Sequence, residues 1–453
     1  MSELKTIIGN AGTILIGQFA VMAYGVTDTI VAGRYSEQAL AALSVGFSVY
    51  VTVFVALIGT MQALLPTWAE LHGASQPKAL GRSVGQALYL AGFASVAGTV
   101  ALLFPGPILR WTEVPEQLQG EVRAYLSVLV LALPPALLFR MFSTLNQSLG
   151  KPVLVTWLQA ASLLVKIPLS IWFTFGGLGL PAQGVVGCAW ATVLVNYLLV
   201  GMAMWLLRTQ DLYRPYGIWR SPGPPDWRII ADFLRLGVPA GLAFMVEVTS
   251  FTLMALFIAR QGTVASAAHQ ITSNLAAVLY MVPLSIAIAT SARVSFWMGA
   301  GELARVSAAI RTGLTLGLAM SCGLSATVLL ARWQIAAVYS AVPEVVTLAA
   351  QLLTLLAVFH LGDATQALCV FLLRCYRVVI APLLAYTFLL WGVGLTGSYM
   401  LAYKGLGSWP PQQSPAVFWA GSSLALGLLS LILPLILWRA VRSYRRREDS
   451  AGD

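Results

Sequence analysis

Charge is scarce in this chain. Only 10% of its 453 residues are Asp, Glu, Lys or Arg, and acids number 17 against 27 bases. A soluble chain normally carries about a quarter of its residues as charged side chains, so a water-soluble globular fold is excluded. Histidine is scarcer still, with three copies, His72, His269 and His360, far apart in the chain. An integral membrane acyl- or glycosyltransferase calls for His, Asp or Arg clustered at a membrane surface, and scattered histidines do not supply it; the chain does not read as an enzyme. The four cysteines, Cys188, Cys322, Cys369 and Cys375, sit in or beside apolar segments without a CxxC spacing, which reads as packing and not as metal ligation. The opening MSELKTIIGNAGTILIGQFA lacks a small-residue cleavage site after its apolar part and reads as mature chain leading into a first helix.

What is abundant is apolar sequence, 58% of the chain. A bilayer-spanning helix needs about 20 mostly apolar residues. Such runs recur near 11–33, 39–66, 85–109, 123–146, 153–175, 184–207, 233–258, 268–291, 308–330, 346–371, 379–402 and 416–440. The expectation is an all-α integral membrane protein with twelve spans. Most of the 27 bases, Arg293 and Arg374 among them, fall in alternate loops on the side of the N-terminus, which places both termini in the cytoplasm. The net charge of +10 therefore reads as topology, and the tail RAVRSYRRRED as stop-transfer sequence in contact with anionic lipid, with no nucleic-acid partner. His72, in a cytoplasmic loop, reads as solvated.

The longest polar interruption contains RSPGPPDW, a Pro/Gly-rich linker, and divides the chain into residues 1–207, a linker 208–232, residues 233–440 and a basic tail 441–453. The halves superpose at a constant offset of 226, with Arg34 against Arg260 and Gly73-Ala74 against Gly299-Ala300. Six spans in each half put both repeats in the membrane in the same orientation, related by a pseudo-twofold axis along the membrane normal, with substrate expected between them.

Three acids lie deep in spans: Asp28 in AYGVTDTIVAG, Glu247 in MVEVTSF and Asp363 in FHLGDATQAL. A carboxylate at membrane depth is costly unless paired, hydrated or protonated, and marks a functional site. In the first half Lys166 and Arg140 are also deep, and Asp28 with Lys166 makes a neutral pair. The second half shows no deep Lys or Arg to match, so Glu247 and Asp363 are expected to need a proton or a metal ion, Na+ being the candidate. Gln270 and Asn274 share a helix face, and with Lys166, Thr192 and Asn196 they are the supporting polar residues. His269 reads as packed or interfacial; His360 lies on the face of Asp363. Pro239, two turns before Glu247, is the candidate hinge.

MAYGVTDTIVAGRYSEQALAALSVG resembles the first-helix signature of the multidrug and toxic compound extrusion (MATE) family. GVPAGLAFMVEVTSFTLMALFIARQGTVASAAHQITSNLAAV resembles helices seven and eight of its NorM-like branch, and LGDATQALCVFLLRCYRV its helix ten. The resemblance implies two six-helix lobes in a V-shaped arrangement, alternating access, and export of cationic, often aromatic drugs in exchange for Na+ or H+. It implies a monomer without a cofactor in the bacterial inner membrane. It also puts the cation site on Glu247 and Asp363 and the first-helix acid at Asp28. Three features depart from the pattern. KIPLS places Lys166 and Ser170 where cation-binding relatives carry Asn and Asn or Asp, Phe359 replaces a frequent tyrosine, and helix one lacks an early proline. Coupling is therefore expected mainly through Glu247 and Asp363 of the second lobe, with Asp28 as the further cation-coupling candidate or else a structural ion pair with Lys166. The rival within the same superfamily, a lipid-linked precursor flippase, calls for a basic cavity that receives phosphate.

Overall fold

The computed structural model describes residues 3–106, 116–177, 179–219, 223–405, 407 and 409–452. Arg110, the last residues of the 85–109 span, and Arg220 to Pro222 of the linker lie outside the described residues. Among the described residues, twelve helical segments are long and apolar enough to cross a membrane. They are built from α1 (Glu3–Tyr35), α2 (Glu37–Gln62) with α3 (Leu64–Gly73), α4 (Pro77–Leu103), α5 (Glu116–Leu129) with α6 (Leu133–Ser148), α7 (Val153–Phe175) and α8 (Val185–Thr209). The second six are α9 (Trp227–Ala259), α10 (Thr263–Gly299), α11 (Leu303–Tyr339), α12 (Pro343–Cys375), α13 (Ile380–Tyr386) continued by π-helical turns Thr387–Gly397 and Met400–Lys404, and α14 (Pro415–Gly452). Extended pairing among the described residues is one isolated bridge, Gly177 with Leu180.

Several helices overrun their apolar cores. The 37 residues of α10 make a rod of about 55 Å at 1.5 Å per residue, well beyond the hydrocarbon thickness of about 30 Å. Local chemistry sets the ends. Ser36, extended at φ −167°, accepts the Ala39 N–H at 3.0 Å and caps α2 immediately after α1. Gly262, at φ +106°, precedes α10, a conformation that only glycine adopts without strain. The repeat reappears in the helix ends: Glu37 and Thr263 start α2 and α10, Gly73 and Gly299 end α3 and α10, and Pro77 and Leu303 start α4 and α11, each pair 226 positions apart.

The chain forms two compact units, Thr13–Gly241 and Met1–Gly12 with Leu242–Asp453. In the first, Trp68, Leu80, Tyr125 and Leu126 are buried together, and the Trp68 indole donates to Ser83 Oγ at 3.0 Å. There α9 crosses α2 closely. Cβ atoms built on Gly237 and Gly241 would run into Thr60 and into the Ala56 carbonyl, and the bare backbone lets Thr60 Oγ1 donate to Gly237 O at 3.3 Å. Small residues four apart at a helix contact are the common means of close approach in membranes. His72, expected to be solvated, packs against Tyr216 with its Nδ1 3.2 Å from the tyrosine hydroxyl. The turn Asp211–Tyr216 folds back on this region, an approach that loop composition did not reveal. In the second unit Phe418, Trp419, Leu353 and Leu429 form the buried centre.

Candidate functional site

Glu247 stands in the middle of α9 and Asp363 in the middle of α12. Both line one cavity of about 10 Å3, together with Ser250, Gln366, Ser422 and the aromatic rings of Phe251 and Phe359. That volume accommodates about one water-sized group. Helical spacing builds the site: Ser250 follows Glu247 by three and Gln366 follows Asp363 by three, so each carboxylate brings a neutral oxygen on its own face. Asp363 is 5% exposed and accepts Gln366 Nε2 at 3.2 Å, while the buried Gln366 Oε1 has no partner. Glu247 makes no ion pair within 4 Å among the described residues. Phe359 contributes a ring edge-on to Phe251 at 5.7 Å and to Trp419 at 5.4 Å. The Trp391 indole, on the π-helical segment, donates to Val246 O at 3.1 Å and pins the backbone beside Glu247.

The expectation that the second half lacks an internal cation is corrected by Arg374. Its side chain, read from sequence as a loop residue, is 2% exposed, because α12 continues to Cys375 and turns Arg374 inward. The guanidinium lies 5.1 Å from the Phe244 ring centroid and 4.4 Å from that of Phe371, two cation–π contacts with rings that meet each other edge-on. Its Nε and Nη1 are buried without hydrogen-bond partners. Arg374, Tyr280 and Tyr386 line a second cavity that also contains Glu247. Glu247 thus faces a carboxylate on one side and a guanidinium on the other. Arg293, also counted with a loop, lies within α10 and holds Glu3 at 2.7 Å.

The other candidates fall elsewhere. Gln270 donates to Asn274 Oδ1 at 3.2 Å, but both are exposed and neither lines the cavity; periodicity says which residues share a face, not which way it points. His269 is packed, its Nδ1 accepting the Trp419 indole at 3.2 Å. His360 is buried, with Nε2 unpartnered and no bond to Asp363. Asp28, 8% exposed, receives Lys166 Nζ at 2.8 Å and Ser170 Oγ at 3.0 Å. Lys166 also donates to Cys188 O at 3.1 Å and Thr192 Oγ1 at 2.7 Å, so all three ammonium protons have acceptors. Asn196 bonds back to Thr192 O at 3.0 Å. The residues missed by sequence reasoning are Gln366, Ser250, Ser422, Tyr280 and Arg374; the spacing of three from each acid was the available signal for the first two.

A cavity of water-sized volume walled by two carboxylates, an amide oxygen and hydroxyls suits a hard cation or a proton, since such ions prefer oxygen ligands. It is too small for a drug-sized molecule.

The family profile described as MatE matches residues 13–172 and 239–400. A probable multidrug resistance protein NorM from Aromatoleum aromaticum is 35% identical over 430 residues, covering 94% of this chain and 92% of that protein. Multidrug resistance protein PmpM from Pseudomonas aeruginosa is 32% identical over 451 residues, covering 99% of this chain and 94% of that protein. Among solved structures, the eukaryotic MATE transporter AtDTX14 superposes with a TM-score of 0.86 at 19% identity, over 98% of this chain and 99% of that one. That similarity is one of fold.

Proposed function

The chain belongs to the MatE family, and from that membership we propose a secondary active exporter in which Glu247 and Asp363 carry the coupling cation. The protein is a multidrug efflux transporter and not an enzyme, a multi-pass membrane protein acting on small molecules, as its bacterial relatives are. The finer reading is antiport by alternating access: Na+ or H+ enters, and cationic, often aromatic compounds leave. The distribution of basic residues supports an inner-membrane location with both termini cytoplasmic, six-span halves 1–207 and 233–440, and basic contacts to lipid; the working unit is taken as a monomer.

One observation carries the coupling reading. The two adjoining cavities around Glu247 are lined by two carboxylates and, among the described residues, one cation, Arg374. With all three charged, the group holds one surplus negative charge inside a membrane segment. A single Na+ or a single proton neutralises it, and the small cavity between the acids has room for either. The cation drives export only if it binds one access state better than the other. Filling the site favours one state, and the cationic substrate favours the other.

The test is substitution with retained shape. Glu247→Gln and Asp363→Asn, reconstituted after checking that both elute as monodisperse protein, are expected to lose gradient-driven dye efflux by at least about 100-fold, in line with removal of a unique charge partner. An efflux rate equal to wild type in either variant would remove the carboxylates from the mechanism.

A further inference from the structure

The unit Thr13–Gly241 has the opposite imbalance. Its internal carboxylate, Asp28, is fully engaged by Lys166 at 2.8 Å, which leaves Arg140, on α6, without a counter-charge. No carboxylate of the described residues stands within ion-pair distance of Arg140, and its Nε is buried with no hydrogen-bond partner. The side chain lines a cavity of about 10 Å3 whose other polar walls are Gln18 of α1, Ser143 and Gln147 of α6, and Thr156 and Gln159 of α7. No acid lines it. The space holds about one water-sized centre, surrounded by one cation and neutral groups.

Gln147 is the neutral group that can turn a donor toward the cavity. It is 6% exposed; its Nε2 donates to Ser143 Oγ at 3.2 Å and its Oε1 is buried without a partner. Amide oxygen and nitrogen are interchangeable by a half-turn of the side chain. The turned amide accepts the Ser143 hydroxyl and offers its NH2 to the cavity, where an acceptor in the cavity would satisfy it. Gln159 reaches the same space because Gly17 on α1 has no side chain: a Cβ there would stand 2.5 Å from Gln159 Oε1. An unpaired guanidinium at membrane depth is unfavourable, and a buried arginine is met by oppositely charged groups or by carbonyl oxygens.

We propose that this cavity binds a singly charged anionic group, held by the Arg140 guanidinium and by the Gln147 and Gln159 amides. The size suits a halide ion or the head of a carboxylate. The group comes from a dissolved anion, from a carboxylate on an organic compound or from an anionic lipid head group. The binding chemistry is the same in each case, and it is independent of the cation site of the other unit.

The experiment measures thermal unfolding of the full chain in phosphatidylcholine nanodiscs, starting in the sodium salt of morpholinoethanesulfonate, a bulky anion without a carboxylate. Sodium bromide or sodium acetate replaces that sulfonate at constant sodium and ionic strength, so the cation site sees no change. Wild type should show a saturable rise in Tm, by mass action on the folded state. Arg140→Gln should show none, and Arg140→Lys, which keeps the charge without the planar fork, should respond at about tenfold higher concentration. A response to both salts identifies a dissolved anion, a response to acetate alone a carboxylate ligand. A Tm raised by phosphatidylglycerol, with the anion response suppressed, identifies the head group. If Arg140→Gln fails to fold, the anomalous signal of bromide in wild-type crystals decides, and a bromide beside the guanidinium supports the site. A Tm flat to bromide, acetate and phosphatidylglycerol alike, an Arg140→Gln variant that responds as wild type, or bromide bound only elsewhere overturns it.

Discussion

Lys166 spends all three of its ammonium protons inside the membrane, on Asp28, the Cys188 carbonyl and Thr192. Removing one partner strands a buried charge, which typically costs about 3–5 kcal/mol, whereas replacing both with apolar groups is often close to neutral. Lys166→Met should therefore lower unfolding stability by about 3–5 kcal/mol, and the double variant Lys166→Met with Asp28→Leu should recover most of it; equal losses in single and double variants would contradict a closed pair. Arg374→Gln has the opposite logic. It leaves Glu247 and Asp363 without their internal cation, so the apparent affinity for the coupling cation should rise about tenfold or more, read as the half-saturating Na+ or H+ activity for efflux. Residue identity made the Asp28–Lys166 pair legible in sequence, because one deep acid and one deep base invite pairing. Arg374 was not legible: an arginine near the end of an apolar run is normally a topological anchor, and only the extra turn of α12 carries it inside.

At the level of elements, α9 concentrates several functions in a few turns. Gly237 and Gly241 let it touch α2, Pro239 between them lies inside the helix, and Glu247 follows two turns on. The compact units also meet in sequence here, one ending at Gly241 and the other resuming at Leu242. A proline in a helix interior removes one backbone hydrogen bond and bends the rod. Pro239→Ala should leave folding and cation affinity intact and reduce the efflux turnover several-fold, while Gly241→Leu should cut the yield of monodisperse protein, because its side chain has no place beside Ala56. An unchanged turnover in the first variant, or normal yield in the second, would remove these roles. The twelve spans and the 226-residue repeat were readable from apolar runs and matched motifs, and the helix ends reproduce that offset. The π-helical register at Thr387–Gly397 was not. Hydropathy is blind to whether a turn holds 3.6 residues or more, although Thr396 Oγ1 bonding back five residues to Trp391 O at 2.7 Å shows it directly in the structure.

Across the whole molecule, internal charge is divided unequally. Among the described residues, the cavities of one unit set Glu247 and Asp363 against Arg374, and the interior of the other sets Lys166 and Arg140 against Asp28. A balanced interior would need neither a coupling ion nor an anion. On the proposed reading, the surplus negative charge at Glu247 and Asp363 is what the coupling cation neutralises. The direct measurement is cation uptake coupled to efflux of a fluorescent cationic dye in liposomes, under an imposed Na+ gradient and then a proton gradient, for wild type, Glu247→Gln and Asp363→Asn. Efflux by wild type driven by one of the two gradients, with one cation entering per surplus charge and both variants silent, is the predicted result. Gradient-driven efflux that persists in both variants, or wild-type efflux indifferent to both gradients, would contradict it.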